Sequence, residues 1–191
     1  MKLAIILVVV LGLIIASSSA FAETDSHKIS GDPIYLNYAG ISGNSNAGGC
    51  SGIQLDSFQW GAGTQTGTQS SGSGGGAGKV RFNEFTITKT TDKASPLFFN
   101  QLVSGKSGPA QITLCRKAGG EQQPYLQFTL GNTLISSYNI SSGGDRPSES
   151  LTLNFQTLTF IWFEQSPNGT PTPISSVCFD VFTNNACSSN S

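Results

Sequence analysis

Residues 80–105, VRFNEFTITKTTDKASPLFFNQLVSG, decide the fold, because a strand pattern within them runs directly into a short helix. Phe85 and Ile87 alternate with polar neighbours, which is the two-residue period of a half-buried strand. Ser95 and Pro96 then favour a helix start, with the serine as the capping residue and the proline at the first helical position. The sequence therefore predicts a strand followed closely by a helix.

The predicted helix is short and has one apolar side. Its apolar residues are Leu97, Phe98, Leu102 and Val103, and Gly105 follows as a residue that readily adopts the left-handed conformation of a helix end. A helix of about two to three turns is not stable alone, so packing against the rest of the domain must hold it. We expect it to cover one open end or face of a β structure.

On both sides of this stretch, apolar and polar residues alternate in short runs separated by turns. The runs centre on Ile34, Leu36 and Tyr38; on Ile53 and Leu55; on Ile112 and Leu114; on Leu126, Phe128 and Leu130; on residues 134–140; on Leu151, Leu153 and Phe155; on Leu158, Phe160 and Trp162; and on residues 177–182. About eight strands without alternating helices predict an all-β barrel or sandwich with one short helix.

In two runs the alternation changes sides, and in one of them Val80 and Phe82 stand on the opposite parity from Phe85 and Ile87. Phe58 and Trp60 stand on the opposite parity from Ile53 and Leu55, which predicts a bulge or a strand whose two halves face different layers. Trp60 and Trp162 both lie in apolar runs. We therefore predict that both tryptophans are core residues rather than surface residues that stack on a ligand.

Residues 61–78 differ in composition from the strands on either side. Gly, Ser, Thr and Gln make up almost all of this stretch, so it offers almost no apolar surface for a core. It is predicted to be a long loop between the second and third strands.

The first residues have the order of a secretory signal. Lys2 provides a positive charge, residues 3–15 form an unbroken apolar run, and a small-residue motif for signal peptidase ends at Ala22. Cleavage is predicted between Ala22 and Glu23. Because the apolar run is too short for a stable membrane-spanning helix, a retained membrane anchor is disfavoured. The mature chain is therefore expected to be secreted or periplasmic.

Removal of the predicted signal peptide leaves 169 residues, which is enough for one domain with a hydrophobic core. The predicted organisation is a signal peptide over residues 1–22, a flexible N-terminus over 23–32, one domain over 33–182 and a C-terminal tail over 183–191. Loss of the single charge in the signal changes the formal net charge from −1 to −2, and only 11% of all residues are charged. Neither nucleic acid nor an anionic membrane is therefore an expected partner.

Four cysteines, Cys50, Cys115, Cys178 and Cys187, lie in the predicted mature chain. An even number in an oxidising compartment favours two disulfide bonds, and three pairings are compatible with the sequence. A bond between Cys178 and Cys187 would tie the C-terminal tail to the last strand. We favour that pairing, which leaves Cys50 with Cys115.

Residue patterns that perform catalysis or bind metals are scarce. His27 is the only histidine and lies near the predicted mature N-terminus, where chains commonly fray. Residues 48–52, GGCSG, resemble a nucleophile elbow, but a strand rather than a helix follows them, which favours a disulfide cysteine in a tight turn. We predict no catalytic, cofactor-binding or metal-binding residues, and a protein that is not an enzyme.

Residues 80–105 resemble the haemolysin-coregulated protein (Hcp) family, whose members form the inner tube of type VI secretion systems. The resemblance is most specific in a helix-start motif, Thr88-Lys89-Thr90-Thr91-Asp92-Lys93-Ala94-Ser95-Pro96. Residues 35–41, 57–61, 112–114 and 178–181 support it by their order along the chain. Together these pieces extend over residues 33–182, nearly the whole mature domain.

The resemblance implies a compact β-barrel of about eight strands flanked by an α-helix, and a structural protein that assembles as hexameric rings. Rings of the family can stack into tubes and carry secreted effectors, and residues 61–78 fall where members have the loop that contacts the neighbouring ring. The usual tube protein has no cleavable signal, so this chain is predicted to be an exported relative. Its expected partners are copies of itself and a secreted effector or cell-envelope component.

Two other functions are compatible with the same sequence. A monomeric secreted β-barrel derived from this fold would bind a ligand through its loops. A small secreted hydrolase is less favoured, because His27 is the only histidine and no catalytic motif accompanies it. Rings in electron micrographs favour assembly, whereas a monomer favours the binding module.

Overall fold

Thirteen strands and one helix form the described part of the chain. The computed structural model describes residues 31–43, 45–47, 50–64, 79–118, 120–165 and 170–188. The elements are β1 (Ile34–Tyr38), β2 (Ser45–Ala47), β3 (Cys50–Leu55), β4 (Ser57–Gln59), β5 (Ala62–Thr64), β6 (Val80–Phe82), β7 (Phe85–Thr90), α1 (Ser95–Ser104), β8 (Gly108–Ala118), β9 (Glu121–Ser141), β10 (Ser148–Asn154), β11 (Thr157–Gln165), β12 (Pro171–Asp180) and β13 (Asn185–Cys187). The predicted signal peptide with its cleavage site at Ala22 and Glu23, the N-terminus to residue 30, His27 and residues 65–78 lie outside the described residues.

Strand β9 is 21 residues long and belongs to both branches of an 11-stranded sheet. Its first half pairs with β8 and β11, and the first branch has the order β13-β12-β11-β9-β8-β1-β3-β2. Its second half pairs with β10, β10 pairs with β7, and β7 pairs with β4. Strands β5 and β6 form a separate two-stranded sheet.

The predicted fold class, all-β with one short helix, is confirmed, but the sheet does not close into a barrel. Among the described strands, pairing ends at β13 and β2 in the first branch and at β4 in the second. The branches meet at a corner between β3 and β4, where the Asp56 N–H donates to the Thr88 carbonyl at 2.8 Å. The expectation of a closed barrel is therefore wrong, because the chain itself, and not a strand ladder, joins the branches at this corner.

The parity change between Leu55 and Phe58 marks this corner. β3 pairs within the first branch and β4 within the second, so the two halves of the run face different layers. This is the second of the two alternatives that the sequence leaves open. Strand β5 pairs with β6 and occupies the start of the predicted loop over 61–78.

The two branches enclose one hydrophobic core. Its fully buried residues include Leu36, Ile53, Ile112 and Leu130 from the first branch and Phe85, Ile87, Leu151 and Leu153 from the second. Trp60 packs against this core as predicted, with its ring nearly parallel to that of Phe85 and the ring centroids 5.2 Å apart. Trp162 is 43% exposed, so the prediction that it is a core residue is wrong.

Helix α1 ends as predicted but begins differently. Gly105 follows it in the left-handed conformation, with a φ of 60°. Ala94 rather than Ser95 occupies the capping position, and no side chain caps the helix. The Ser95 hydroxyl is used elsewhere, because it accepts a hydrogen bond from the Asp92 N–H at 2.9 Å.

Only part of the apolar side of α1 faces the core. Phe98 is fully buried and Leu102 is partly buried against the core. Leu97 is 48% exposed and Val103 is 64% exposed, so the apolar side is wider than the surface that the sheet covers. Within the described ranges, no helix is both long enough and apolar enough to span a membrane.

Candidate functional site

The start of helix α1 packs over a buried lysine. The Lys89 ammonium contacts four oxygen atoms: Asp92 Oδ1 at 2.9 Å, Glu149 Oε2 at 3.2 Å, Ser95 Oγ at 3.3 Å and the Thr90 carbonyl at 2.8 Å. The side chains of Lys89 and Glu149 have no exposed surface. We call this arrangement the lysine cluster. It connects β7 and β10 to the first turn of the helix.

The lysine cluster follows from the inward positions of two paired strands. The inward residues are Phe85, Ile87 and Lys89 in β7, and Glu149, Leu151 and Leu153 in β10. The strand register places Lys89 opposite Glu149. The sequence prediction included Lys89 in the helix-start motif but missed Glu149. The signal that could have found it is a pair of opposite charges on inward positions, because a buried charge needs a partner.

Tyr138 of β9 lies beside the lysine cluster. Burial raises the pKa of the Tyr138 hydroxyl, and the charge of Glu149, a hydrogen bond with Glu149 and the charge of Asp92 raise it further. Because Lys89 and Glu149 are sealed from solvent, the cluster offers no access to a substrate. We assign it to the stability of the helix attachment.

The other residues of the helix-start motif connect neighbouring elements. The Thr88 hydroxyl pairs with that of Ser57 at 2.6 Å, Thr90 donates to an Asp56 carboxylate oxygen at 3.2 Å, and Thr91 donates to the Pro147 carbonyl at 2.9 Å. The Asp92 carboxylate also accepts the Ala94 N–H at 2.9 Å, and Lys93 is exposed. The motif therefore holds β7 to the corner at Asp56 and to the helix.

The two disulfide bonds lie in different surroundings. Cys50 and Cys115 are bonded to each other, fully buried, and packed with Tyr35 in a small second core. Cys178 and Cys187 are bonded across the β12–β13 hairpin and are partly exposed. These bonds have the pairing that the sequence analysis favours, and the second attaches part of the predicted C-terminal tail to β12.

The described residues contain no group of three or more His, Cys, Asp and Glu side chains that could hold a metal ion. Each of the four cysteines is in a disulfide bond, so none is a free nucleophile. His27 and the first two residues of the GGCSG stretch lie outside the described part of the chain.

Strands β11 and β12 extend the first branch beyond the core, and we call this pair of strands the wing. Leu158, near the start of β11, is 4% exposed. Further along the same face of β11, Phe160 is 40% exposed and Trp162 is 43% exposed. Val177, which lies opposite Phe160 on β12, is 64% exposed. The face of the wing that continues the core is therefore apolar and open.

Phe160 marks the boundary between the core and the wing. Its ring stacks on that of Phe128 at 4.8 Å between centroids, and Phe128 is almost fully buried in the core. The register places Phe128, Phe160 and Val177 in one row across β9, β11 and β12. Along this row burial decreases with distance from the core.

A second apolar surface lies beside helix α1. Phe99 is 54% exposed and Val103, one turn further along the helix, is 64% exposed. The Phe99 ring lies 6.0 Å from that of Tyr138, and Ile140, two residues further along β9, is 55% exposed. We call Phe99, Val103 and Ile140 the helix flank.

These features define a class of protein: an open antiparallel β structure in which the one helix of the described residues is attached beside the longest strand. A family model described as "Type VI secretion system effector, Hcp" matches residues 35–162, more than half of the chain. The chain therefore belongs to the Hcp family.

Individual relatives agree with this assignment. Protein hcp1 of Pseudomonas aeruginosa is 39% identical over 94 residues, which cover 48% of this chain and 58% of that protein. The match thus spans little more than half the length of this curated relative.

Solved structures share the fold over most of the chain. A structure described as that of a type six secretion system protein aligns with a TM-score of 0.73 and 24% identity, covering 82% of this chain and all of the other. Hcp1 from Salmonella typhimurium aligns with a TM-score of 0.62 and 25% identity, covering 81% of this chain and 98% of the other.

Proposed function

We propose that the mature chain is a non-enzymatic structural subunit that assembles with copies of itself into hexameric rings. We further propose that its own signal peptide exports it, so that the rings form in the periplasm or outside the cell. Membership of the type VI secretion Hcp family supports the structural role. The observation that carries the proposal is the apolar face of the wing, because a soluble monomer gains nothing from exposing it.

The exposed area of the wing would contribute to association. An aromatic side chain carries about 200 Å² of surface, so the exposed parts of Phe160 and Trp162 amount to roughly 80 Å² each. At about 25 cal/mol per Å², burial of each contributes about 2 kcal/mol. Contact with a second copy would therefore gain about 4 kcal/mol at these two rings, and the rest of the interface would have to offset the remaining cost of association.

Export is supported by the disulfide bonds. Two bonds among four cysteines suit an oxidising compartment, where the bonds form and persist. The test is N-terminal sequencing of the protein recovered from the periplasm and from the culture medium. We expect the sequence to begin at Glu23. A chain that begins at Met1 and remains in the cytoplasm would contradict the export proposal and leave the assembly proposal standing.

Assembly is tested by negative-stain imaging and size-exclusion chromatography of the mature, oxidised protein. We expect rings with the mass of six chains. A monomer at the highest soluble concentration would contradict assembly and favour the monomeric binding module. For a ring of this family, a secreted effector or a cell-envelope component is the further partner that we expect, and stacking of rings into tubes would be visible in the same images.

A further inference from the structure

Strand β3 does not follow β1 along its whole length. Residues 53–55 pair with β1 in antiparallel register, whereas residues 50–52 pair with β2 instead. The change falls at Gly52, which has a φ of 136°, a backbone conformation that residues with a side chain rarely adopt. A Cβ atom at this position would also lie 2.7 Å from the Leu36 carbonyl oxygen of β1. The chain therefore leaves the register at Gly52 while it stays in close contact with β1.

The buried disulfide bond shows where the chain goes from there. If β3 continued its register with β1 without a turn, Cys50 would lie past Tyr38, the last residue of β1. Cys115 lies at the other end of β1, where its N–H donates to the Pro33 carbonyl at 2.9 Å. At about 3.3 Å per residue, Tyr38 and Pro33 are roughly 16 Å apart. The Cα atoms of the two bonded cysteines are only 6.3 Å apart, so the first half of β3 turns back across β1.

The returning segment reaches the outer face of the first branch. Leu36 belongs to the core, so its neighbour Tyr35 points to the opposite face of β1. Tyr35 is nevertheless only 3% exposed, and it packs with the bonded Cys50 and Cys115. We call β2 together with residues 50–52 the strap. Cys50 of the strap therefore helps to cover a tyrosine on the face that is turned away from the core.

The disulfide bond is the strongest attachment of the strap to the strands beneath it. Among the described strands, β2 pairs only with β3. The Asn37 amide donates to the Ser51 carbonyl at 3.0 Å, but this hydrogen bond is exposed and water can replace it. A covalent bond between Cys50 and Cys115 does not exchange with water. Loss of this bond should therefore act first on the strap.

We propose that the Cys50–Cys115 bond is a redox latch, which holds the strap over Tyr35 when it is oxidised and releases it when it is reduced. On closing, the two thiols lose two protons and two electrons to an accepting disulfide, which becomes two thiols, and the S–S bond forms. A dithiol reverses the step, and the hydrophobic core stays folded. The latch goes beyond the proposed function, but with the proposed export it means that the strap closes only in an oxidising compartment.

The test compares the mature wild-type protein with the double variant Cys50→Ala, Cys115→Ala. Tetranitromethane nitrates accessible tyrosines, and tandem mass spectrometry locates the products. Tyr35 should be nitrated in the variant and protected in the oxidised wild type. Tyr38 is the internal control, because it is 1% exposed on the core side of the same strand and should stay unmodified in both proteins. Amide hydrogen exchange in the strap should accelerate about tenfold or more in the variant, without a matching change in β8 and β10.

Two further samples separate the latch from other effects. The double variant Cys178→Ala, Cys187→Ala removes the other disulfide bond and should leave Tyr35 protected. Wild-type protein in dithiothreitol, at a concentration that alkylation shows to open both bonds, should be nitrated like the first variant. The reduced wild type thus gives the same comparison without any substitution.

The outcomes either support the latch or overturn it. Nitration of Tyr35 without nitration of Tyr38 supports it. Protection of Tyr35 in the variant and in the reduced wild type would show that other contacts hold the strap, and would overturn it. Nitration of both tyrosines, or loss of the folded circular dichroism spectrum, would show that the bond holds the whole fold, and would also overturn it. Each result is read on the purified mature chain, so failure of the export or ring proposal does not change the test.

Discussion

Strand β9 pairs with β11 of the wing and with β10, and β10 pairs with β7. We call β7, β10 and the core that they face the core part of the molecule, and it uses its inward residues differently from the wing. In the core part, every inward position of β7 and β10 is buried, including the charged residues Lys89 and Glu149. In the wing, Leu158 is buried, but the next two residues on the same face of β11, Phe160 and Trp162, are more than one third exposed although they are aromatic. The same alternating pattern thus gives buried residues that stabilise the fold in β7 and β10, and exposed apolar residues in β11.

This difference teaches that burial follows from what lies opposite a strand and not from its sequence alone. β7 and β10 face the first branch across the core and are covered by it. In the wing, Phe160 and Trp162 are 40% and 43% exposed, so they are covered much less than the inward residues of β7 and β10. Substitutions in the two parts should therefore act on different quantities, stability in the core part and assembly in the wing.

The largest loss of stability is expected at the lysine cluster. Lys89→Ala removes the partner of Glu149 and leaves a buried carboxylate without a counter-charge, which should lower the free energy of unfolding by about 3–5 kcal/mol. Urea denaturation of the mature protein measures this. The double variant Lys89→Met, Glu149→Leu removes both charges and should recover most of the loss. A single variant within about 1 kcal/mol of wild type would show that the cluster does not hold the helix.

Removal of the buried disulfide bond should also cost more stability than removal of the disulfide bond in the wing. The Cys50–Cys115 bond joins residues 65 positions apart, and the Cys178–Cys187 bond joins residues 9 positions apart. Loop-closure entropy then predicts a loss of about 4 kcal/mol on replacing the first pair with alanine and about 2.5 kcal/mol for the second. Urea denaturation of the two double variants gives the comparison.

The two disulfide bonds should also differ in how fast they are reduced, because one is partly exposed and the other is buried. A dilute thiol reductant should open the partly exposed Cys178–Cys187 bond first, and alkylation with mass analysis identifies the thiols that are released. Release of Cys50 and Cys115 at the same rate would contradict the sealed core part.

Alkaline pH should lower the stability of the fold, mainly through a buried tyrosine in the hydrophobic core. Burial raises the pKa of Tyr38, whose hydroxyl donates to the Thr133 carbonyl at 3.0 Å. The unfolded chain loses this proton near pH 10 and the folded chain loses it only at higher pH, so stability is complete below pH 10 and falls above it, by up to about 1.4 kcal/mol per pH unit.

The variant Tyr38→Phe should flatten this alkaline decline. The control is Tyr125→Phe near the wing, where burial raises the pKa of a less enclosed hydroxyl and the nearby Arg116 opposes the rise. Urea midpoints between pH 9 and about 11 compare the two variants. Equal flattening by both would show that Tyr38 is no better sealed than Tyr125.

Much of the core part could be predicted from sequence, because local patterns determine it. Alternation in 85–90 and 148–154 predicts strands, and Gly105 ends the helix in the left-handed conformation as expected. The corner between β3 and β4 also appears in the sequence, as the parity change between Leu55 and Phe58. These features depend on neighbours in the chain and not on the whole fold.

The wing could not be predicted in this way. Phe160 and Trp162 have the alternation of buried residues, and only the folded structure reveals that they are exposed. The absence of barrel closure depends on the same long-range geometry. Glu149 was missed because its partner Lys89 is 60 positions away along the chain, and only strand register brings the two together.

The smallest effect on stability is expected in the wing. Val177→Ser changes a side chain that is 64% exposed, so the free energy of unfolding should stay within about 0.5 kcal/mol of wild type. The comparison is Ile87→Ser, which puts a polar group into the core and should lower stability by several kcal/mol, about 3 or more. A large loss from Val177→Ser in urea denaturation would show that the wing belongs to the core.

Sedimentation velocity of the mature wild-type protein beside Phe160→Ser, over a concentration series, tests most directly the claim that the wing is an assembly surface. We predict that the wild type sediments as a ring of six chains and that the folded variant sediments as a monomer at the same concentrations. A wild-type monomer throughout the series, or a Phe160→Ser variant that forms the same ring, would contradict that claim.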